Sequence, residues 1–139
     1  MRADRARIKS YLTEIRRNSL ELNTLIDQNQ LTPNSLALKA CKYILIELAE
    51  AMSSTLQHLL AKEKGIAASG YIDVVNKSSE HNLLSHSLYQ RLTPFFDFRN
   101  SLIHRYWIID DDQLIANIQA GREDFDLFVE EIEESLVSK

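Results

Sequence analysis

The sequence predicts an all-α protein, a helical bundle of about five helices built on one long scaffold helix. Three observations carry this reading. Apolar residues recur at spacings of three and four through most of the chain, the period of a helix with one buried face. Only three glycines and two prolines punctuate 139 residues, so few turns are encoded. Hydrophobic residues make up 45%, which supports a sizeable core and argues against disorder. That length suits one domain spanning residues 1–139.

The first helix is expected over residues 5–26, where Ile8, Leu12, Ile15, Leu22 and Ile26 form a stripe. Arg5, Arg7, Lys9, Arg16 and Arg17 spread around it as a solvated face, with a phosphate-facing surface as the alternative. Residues 27–31 make a polar connection. Thr32 reads as an N-cap, with Pro33 at the first helical position. The helix that follows holds its period through Cys41, Ile44, Leu48, Met52, Leu56 and Leu59 to about Lys62. At about 1.5 Å per residue it spans roughly 45 Å and is the scaffold. Lys62, Lys64 and Gly65 supply a cationic last turn and a stop. Cys41 lies on the apolar stripe and reads as core.

A third helix of one or two turns is expected over residues 71–76, and the polar stretch 78–82 breaks the pattern. Ser85 is the candidate N-cap of a fourth helix, which runs through Leu88, Leu92 and Phe96. Pro94 lies inside that run and removes a backbone donor, so a kink or a junction is expected there. Asp110, Asp111 and Asp112 precede the last stripe and read as a helix cap, because carboxylates favour a helix N-terminus. A magnesium site is disfavoured, since neighbouring residues diverge on a helix. Leu114, Ile118, Phe125, Phe128, Val129, Ile132 and Leu136 continue as one final helix, with Gly121 a weak point.

Several function classes fall away. Cys41 is the only cysteine, which excludes an intrachain disulfide and a cysteine zinc site. His81 and His86 are five apart, the wrong spacing for a helical metal pair, and read as surface or cap residues. No apolar run reaches the about 18 residues of a membrane span, and the amino end lacks a signal-peptide segment. A cytoplasmic protein without membrane, metal or cofactor is expected. The net charge of −4 resolves into +3 over residues 1–64, +1 over residues 65–109 and −8 over residues 110–139. Acidity is thus confined to the last segment, and RNA is permitted as a partner elsewhere.

One stretch concentrates chemistry. Between Phe95 and Trp107 the chain sets Arg99, Asn100, His104 and Tyr106 among Phe95, Phe96, Phe98 and Trp107. The aromatics read as core or interface. Burying Arg, Asn and His is costly unless they are paired, so the segment holds a satisfied network or a working site. Asn100 and His104 share a helix face, whereas Arg99 and His104 lie about 140° apart around the axis. One helix does not easily aim both at one small target; a two-fold dimer can.

Arg99-Asn100-x-x-x-His104-x-Tyr106 resembles the Arg-x4-His-x-Tyr signature of the HEPN superfamily, specifically the HepT-like toxins of the HepT/MntA toxin–antitoxin family. Residues 83–92 before it and 108–110 after it fall where family members carry similar residues. The resemblance implies a HEPN-like bundle, a homodimer with a composite site, and a metal-independent endoribonuclease. Arg99, His104 and Asn100 would be its catalytic residues. It also implies a partner nucleotidyltransferase antitoxin that silences the toxin by attaching AMP to Tyr106. The alternatives are a non-catalytic substrate-binding or regulatory subunit of that nucleotidyltransferase, and a purely structural oligomerisation module.

Overall fold

Asp4 starts the first helix: its carboxylate accepts the Arg7 N–H at 3.1 Å. The computed structural model describes residues 4–104 and 109–137, with the backbone alone for residues 100–104. Helix α1, Arg5–Asp27, buries the predicted stripe from Ile8 to Ile26. It closes on Asn29, which takes the left-handed conformation at φ 55°, and Gln30 N–H returns to the Leu25 carbonyl.

Helix α2, Leu36–Lys64, is the scaffold. It begins after the Thr32–Pro33 position that the sequence suggests, because those two residues belong to a turn instead. Ser35 N–H closes that turn on the Thr32 carbonyl, with Pro33 preset for its second position and Asn34 left-handed at φ 61°. Ser35 is the true cap, its hydroxyl accepting the Leu38 N–H at 2.9 Å. At the other end Gly65, at φ 67°, turns the chain so that its own N–H and that of Ile66 meet the Leu60 carbonyl.

Helix α3, Tyr71–Glu80, is longer than expected. The polar residues thought to break it are absorbed, since buried Ser78 donates its hydroxyl to the Val74 carbonyl at 2.6 Å. Helix α4, His86–His104, is capped by Ser85 as predicted and continues through Pro94 as one helix. The expected single last helix is two: α5, Asp111–Ala120, and α6, Asp124–Val137. Gly121 accepts the Asp124 N–H at the corner between them. Among the described residues there are therefore six helices rather than about five, and no strand.

Helix α2 packs against α1, α3 and α4, and α6 closes the bundle against α1 and α4. Leu48, Met52, Leu56, Phe96 and Phe128 are fully buried at its centre, with Cys41 where the stripe put it. Polar clasps fix the later helices. Asp111 accepts Lys42 Nζ at 3.1 Å and the Asn34 N–H at 2.9 Å, holding the start of α5 against α2. Arg122 donates to Asn23 at 2.6 Å and to Asp27 at 2.8 Å. Arg16 pairs with Glu133 at 2.7 Å, and Arg5 donates to the Leu136 carbonyl at 3.0 Å. Two of the basic residues of α1 thus reach α6 while staying on the exposed face read from the sequence. No helix among the described residues is long and apolar enough to cross a membrane.

Candidate functional site

Arg99 lies where α2, α3 and α4 meet. Its side chain is 16% exposed, and its Nη2 donates to Glu50 Oε1 of α2 at 2.6 Å. The face of the guanidinium lies over the ring of Tyr71, the first residue of α3, with Cζ 3.7 Å from the centroid. Behind that ring stands Phe96, its centroid 6.4 Å away, packed in turn against Phe95 at 5.5 Å. The expected aromatic core is thus real for Phe96. It forms the wall on which the arginine platform rests.

The electrostatics of the cluster follow from this packing. Burial pushes the Glu50 carboxyl upward, but the Tyr71 hydroxyl and the Arg99 guanidinium outweigh it and hold the group below its ordinary value. Glu50 is therefore ionised at neutral pH. The Tyr71 phenol moves the other way, raised by burial first and by the neighbouring carboxylate second. Its oxygen is shielded from solvent and makes no hydrogen bond of normal geometry to a described residue. A guanidinium, a carboxylate and a phenol thus converge from three helices, although 49 residues separate Glu50 from Arg99.

Asn100 follows Arg99 and His104 closes the described part of α4, one turn beyond Asn100. The helical backbone there keeps the register read from the sequence, with Arg99 and His104 about 140° apart. Tyr106 and Trp107 lie outside the described residues. Glu50 and Tyr71 are the members that sequence reasoning missed. No spacing rule links them to the motif, and Glu50 is one of three acidic residues on the scaffold helix, with Glu47 and Glu63.

Two other features carry less chemistry. A cavity of about 420 Å³ between α4, α5 and α6 is lined chiefly by apolar side chains, among them Phe95, Phe98 and Phe125. Arg91 and Asp124 meet there at 3.3 Å, and burial raises the Asp124 carboxyl against the pull of Arg91. Of the three adjacent aspartates, Asp110 caps α5 by accepting the Gln113 N–H, as predicted, and Asp111 is the clasp described above.

Over residues 6–132 the sequence matches the family described as Ribonuclease HepT-like. The chain belongs to the HepT-like family. No curated protein matches it. Among solved structures, the HepT-like chain is similar to YutE, a cytosolic protein of unknown function from Bacillus subtilis. The TM-score is 0.83 at 17% identity, covering 98% of this chain and 92% of that one. It is likewise similar to a tri-AMPylated HEPN toxin of Shewanella oneidensis solved in complex with an MNT antitoxin. There the TM-score is 0.82 at 19% identity, covering 92% and 97%. At such identities the likeness speaks for the fold, which is the HEPN all-α bundle.

Proposed function

We propose that this protein is the toxin of a toxin–antitoxin pair, a metal-independent endoribonuclease that acts as a homodimer. The observation that carries the reading is the coincidence of HepT-like family membership over residues 6–132 with Arg99, Asn100 and His104 on the last turns of α4. In this reading the imidazole of His104 takes the proton from a ribose 2′-hydroxyl or gives one to the leaving oxygen. The 2′-oxygen attacks phosphorus, the bond to the 5′-oxygen breaks, and a cyclic phosphate and a 5′-hydroxyl remain. DNA is spared because it lacks the attacking group. Arg99 neutralises charge on the phosphorane, and Asn100 orients His104 or the phosphate. The 140° between Arg99 and His104 favours a site completed by a second subunit across a two-fold axis.

The partner in this reading is a nucleotidyltransferase antitoxin. The Tyr106 oxygen attacks the α-phosphorus of ATP held by that partner, pyrophosphate leaves, and a bulky anion is fixed beside the motif. Its negative charge would oppose RNA and offset Arg99.

The test is RNA cleavage in EDTA by protein whose intact mass shows no modification, beside His104→Ala and Arg99→Ala. Cleavage that EDTA spares and either substitution abolishes is expected. Failure of the unmodified dimer to cut mixed cellular RNA overturns the reading in favour of a non-catalytic subunit. AMP transfer that persists in Tyr106→Phe removes Tyr106 from its role.

A further inference from the structure

We infer that Glu50 and Tyr71 are positioning residues for Arg99, fixing the plane and rotation of its guanidinium. The inference rests on the ribonuclease reading for its catalytic consequence, but not for its geometry. A planar ion needs two constraints to be set in space. A contact normal to the plane fixes its tilt, and the Tyr71 ring at 3.7 Å from Cζ supplies that. A contact within the plane fixes its rotation, and Glu50 supplies that through Nη2 at 2.6 Å.

Arginine loses more rotamer freedom on ordering than most side chains, and bidentate phosphate binding demands one orientation of the fork. Here the freedom is already restricted before substrate arrives, with the side chain only 16% exposed. Glu50 holds its charge for this task, because Tyr71 and Arg99 offset the penalty of its burial.

The platform is itself anchored. Phe96 backs the Tyr71 ring, and the entry to α3 is pinned where Asp73 accepts the Ser69 N–H at 2.9 Å. Lys77 Nζ donates to the Ala67 carbonyl at 2.9 Å and pairs with Asp73 at 3.1 Å. Neither α2 nor α3 carries a residue of the motif. Besides building the bundle, each contributes one side chain that constrains α4's arginine.

Such a role acts on the transition state more than on binding. In unmodified full-length protein, Glu50→Ala should lower kcat for single-stranded RNA roughly tenfold with KM little changed. Glu50→Gln, which keeps an acceptor, should recover part of that loss. Tyr71→Leu should fall further than Tyr71→Phe, which retains the ring. A second readout is independent of cleavage: the Arg99 Nε–H resonance in a two-dimensional NMR spectrum should be sharp and dispersed in the wild type. It should collapse toward the free-arginine position in Glu50→Ala.

Wild-type kcat in both Glu50→Ala and Tyr71→Leu, beside an inactive Arg99→Ala, overturns the positioning role while leaving the ribonuclease intact. If instead Arg99→Ala cleaves normally, or nothing cleaves, the ribonuclease reading fails. The NMR arm then decides alone whether Glu50 and Tyr71 hold the guanidinium: an unchanged Arg99 resonance in both variants overturns it.

Discussion

Replacing Phe96 by alanine tests the junction on which the candidate site rests. Phe96 is fully buried, with Tyr71 on one side and Phe95 on another. Loss of its ring removes roughly 2 kcal/mol of transfer free energy. A residual void of roughly 80 Å³, at about 24 cal/mol per Å³, adds about 2 kcal/mol. The expected destabilisation is therefore about 4 kcal/mol, inside the range for buried Phe→Ala changes. Urea unfolding followed by helical circular dichroism, at one fixed protein concentration, reads it as a lower midpoint with an unchanged slope. On heating, at about 4 °C per kcal/mol for a chain of this length, the midpoint should drop about 16 °C. A loss below about 1.5 kcal/mol would refute a closely packed junction of α2, α3 and α4 at this ring. The Arg99 platform would then lack its wall.

Three further outcomes follow from local features. His58 Nε2 accepts the Asp4 N–H at 3.0 Å, which requires the neutral ring; burial first, then Arg7 and Lys62 against Asp4, hold its pKa below 6.5. A histidine depressed in the folded state contributes stability that is full above the unfolded value and is lost as pH falls below it. Stability relative to His58→Gln should thus decline from about pH 6.5 downward, and parallel curves from pH 8 to 5 would contradict the contact. Pro94 is exposed within α4, so Pro94→Ala restores a helix donor at no packing cost. Set against the roughly 3 kcal/mol helix penalty of proline and the entropy it removes from the unfolded chain, a gain of about 1–2 kcal/mol is expected in urea unfolding. A loss would show that the proline is structurally required. Cys41 is buried and its thiol is pushed up to about 12, chiefly by desolvation. Native protein at pH 8 should react with a disulfide reagent only at the rate of unfolding, and prompt labelling without denaturant would place Cys41 at the surface.

Local signals were the legible ones. The period of α2, its stop at Gly65, the caps at Ser85 and Asp110, and the buried Cys41 each depend on residues within a turn or two of one another. The start of α2 was misread because Thr32 and Pro33 suit both a helix start and a tight turn. Asn34 at positive φ decided for the turn. The continuation of α3 depended on whether Ser78 would bond back into its own helix. At Gly121 the apolar period passes through a corner without changing phase, so one stripe stood for two helices. The motif on α4 was visible as a pattern, and Arg99 as its cation. Its neighbours Glu50 and Tyr71 were not, because tertiary packing alone brings them to it. The same holds for His58, which sits 54 residues from the N–H it accepts.

The Arg99 cluster bears on how such sequences should be read across a lineage. An arginine at this position answers to two demands, because its loss removes both the cation beside Glu50 and the cover over the Tyr71 ring. Selection for a stable bundle would keep it even in a descendant that makes no use of the rest of the motif. Persistence of the arginine is then a record of the fold as much as of the chemistry. Drift at position 50 or 71, with the arginine retained, would mark the point where the two demands part.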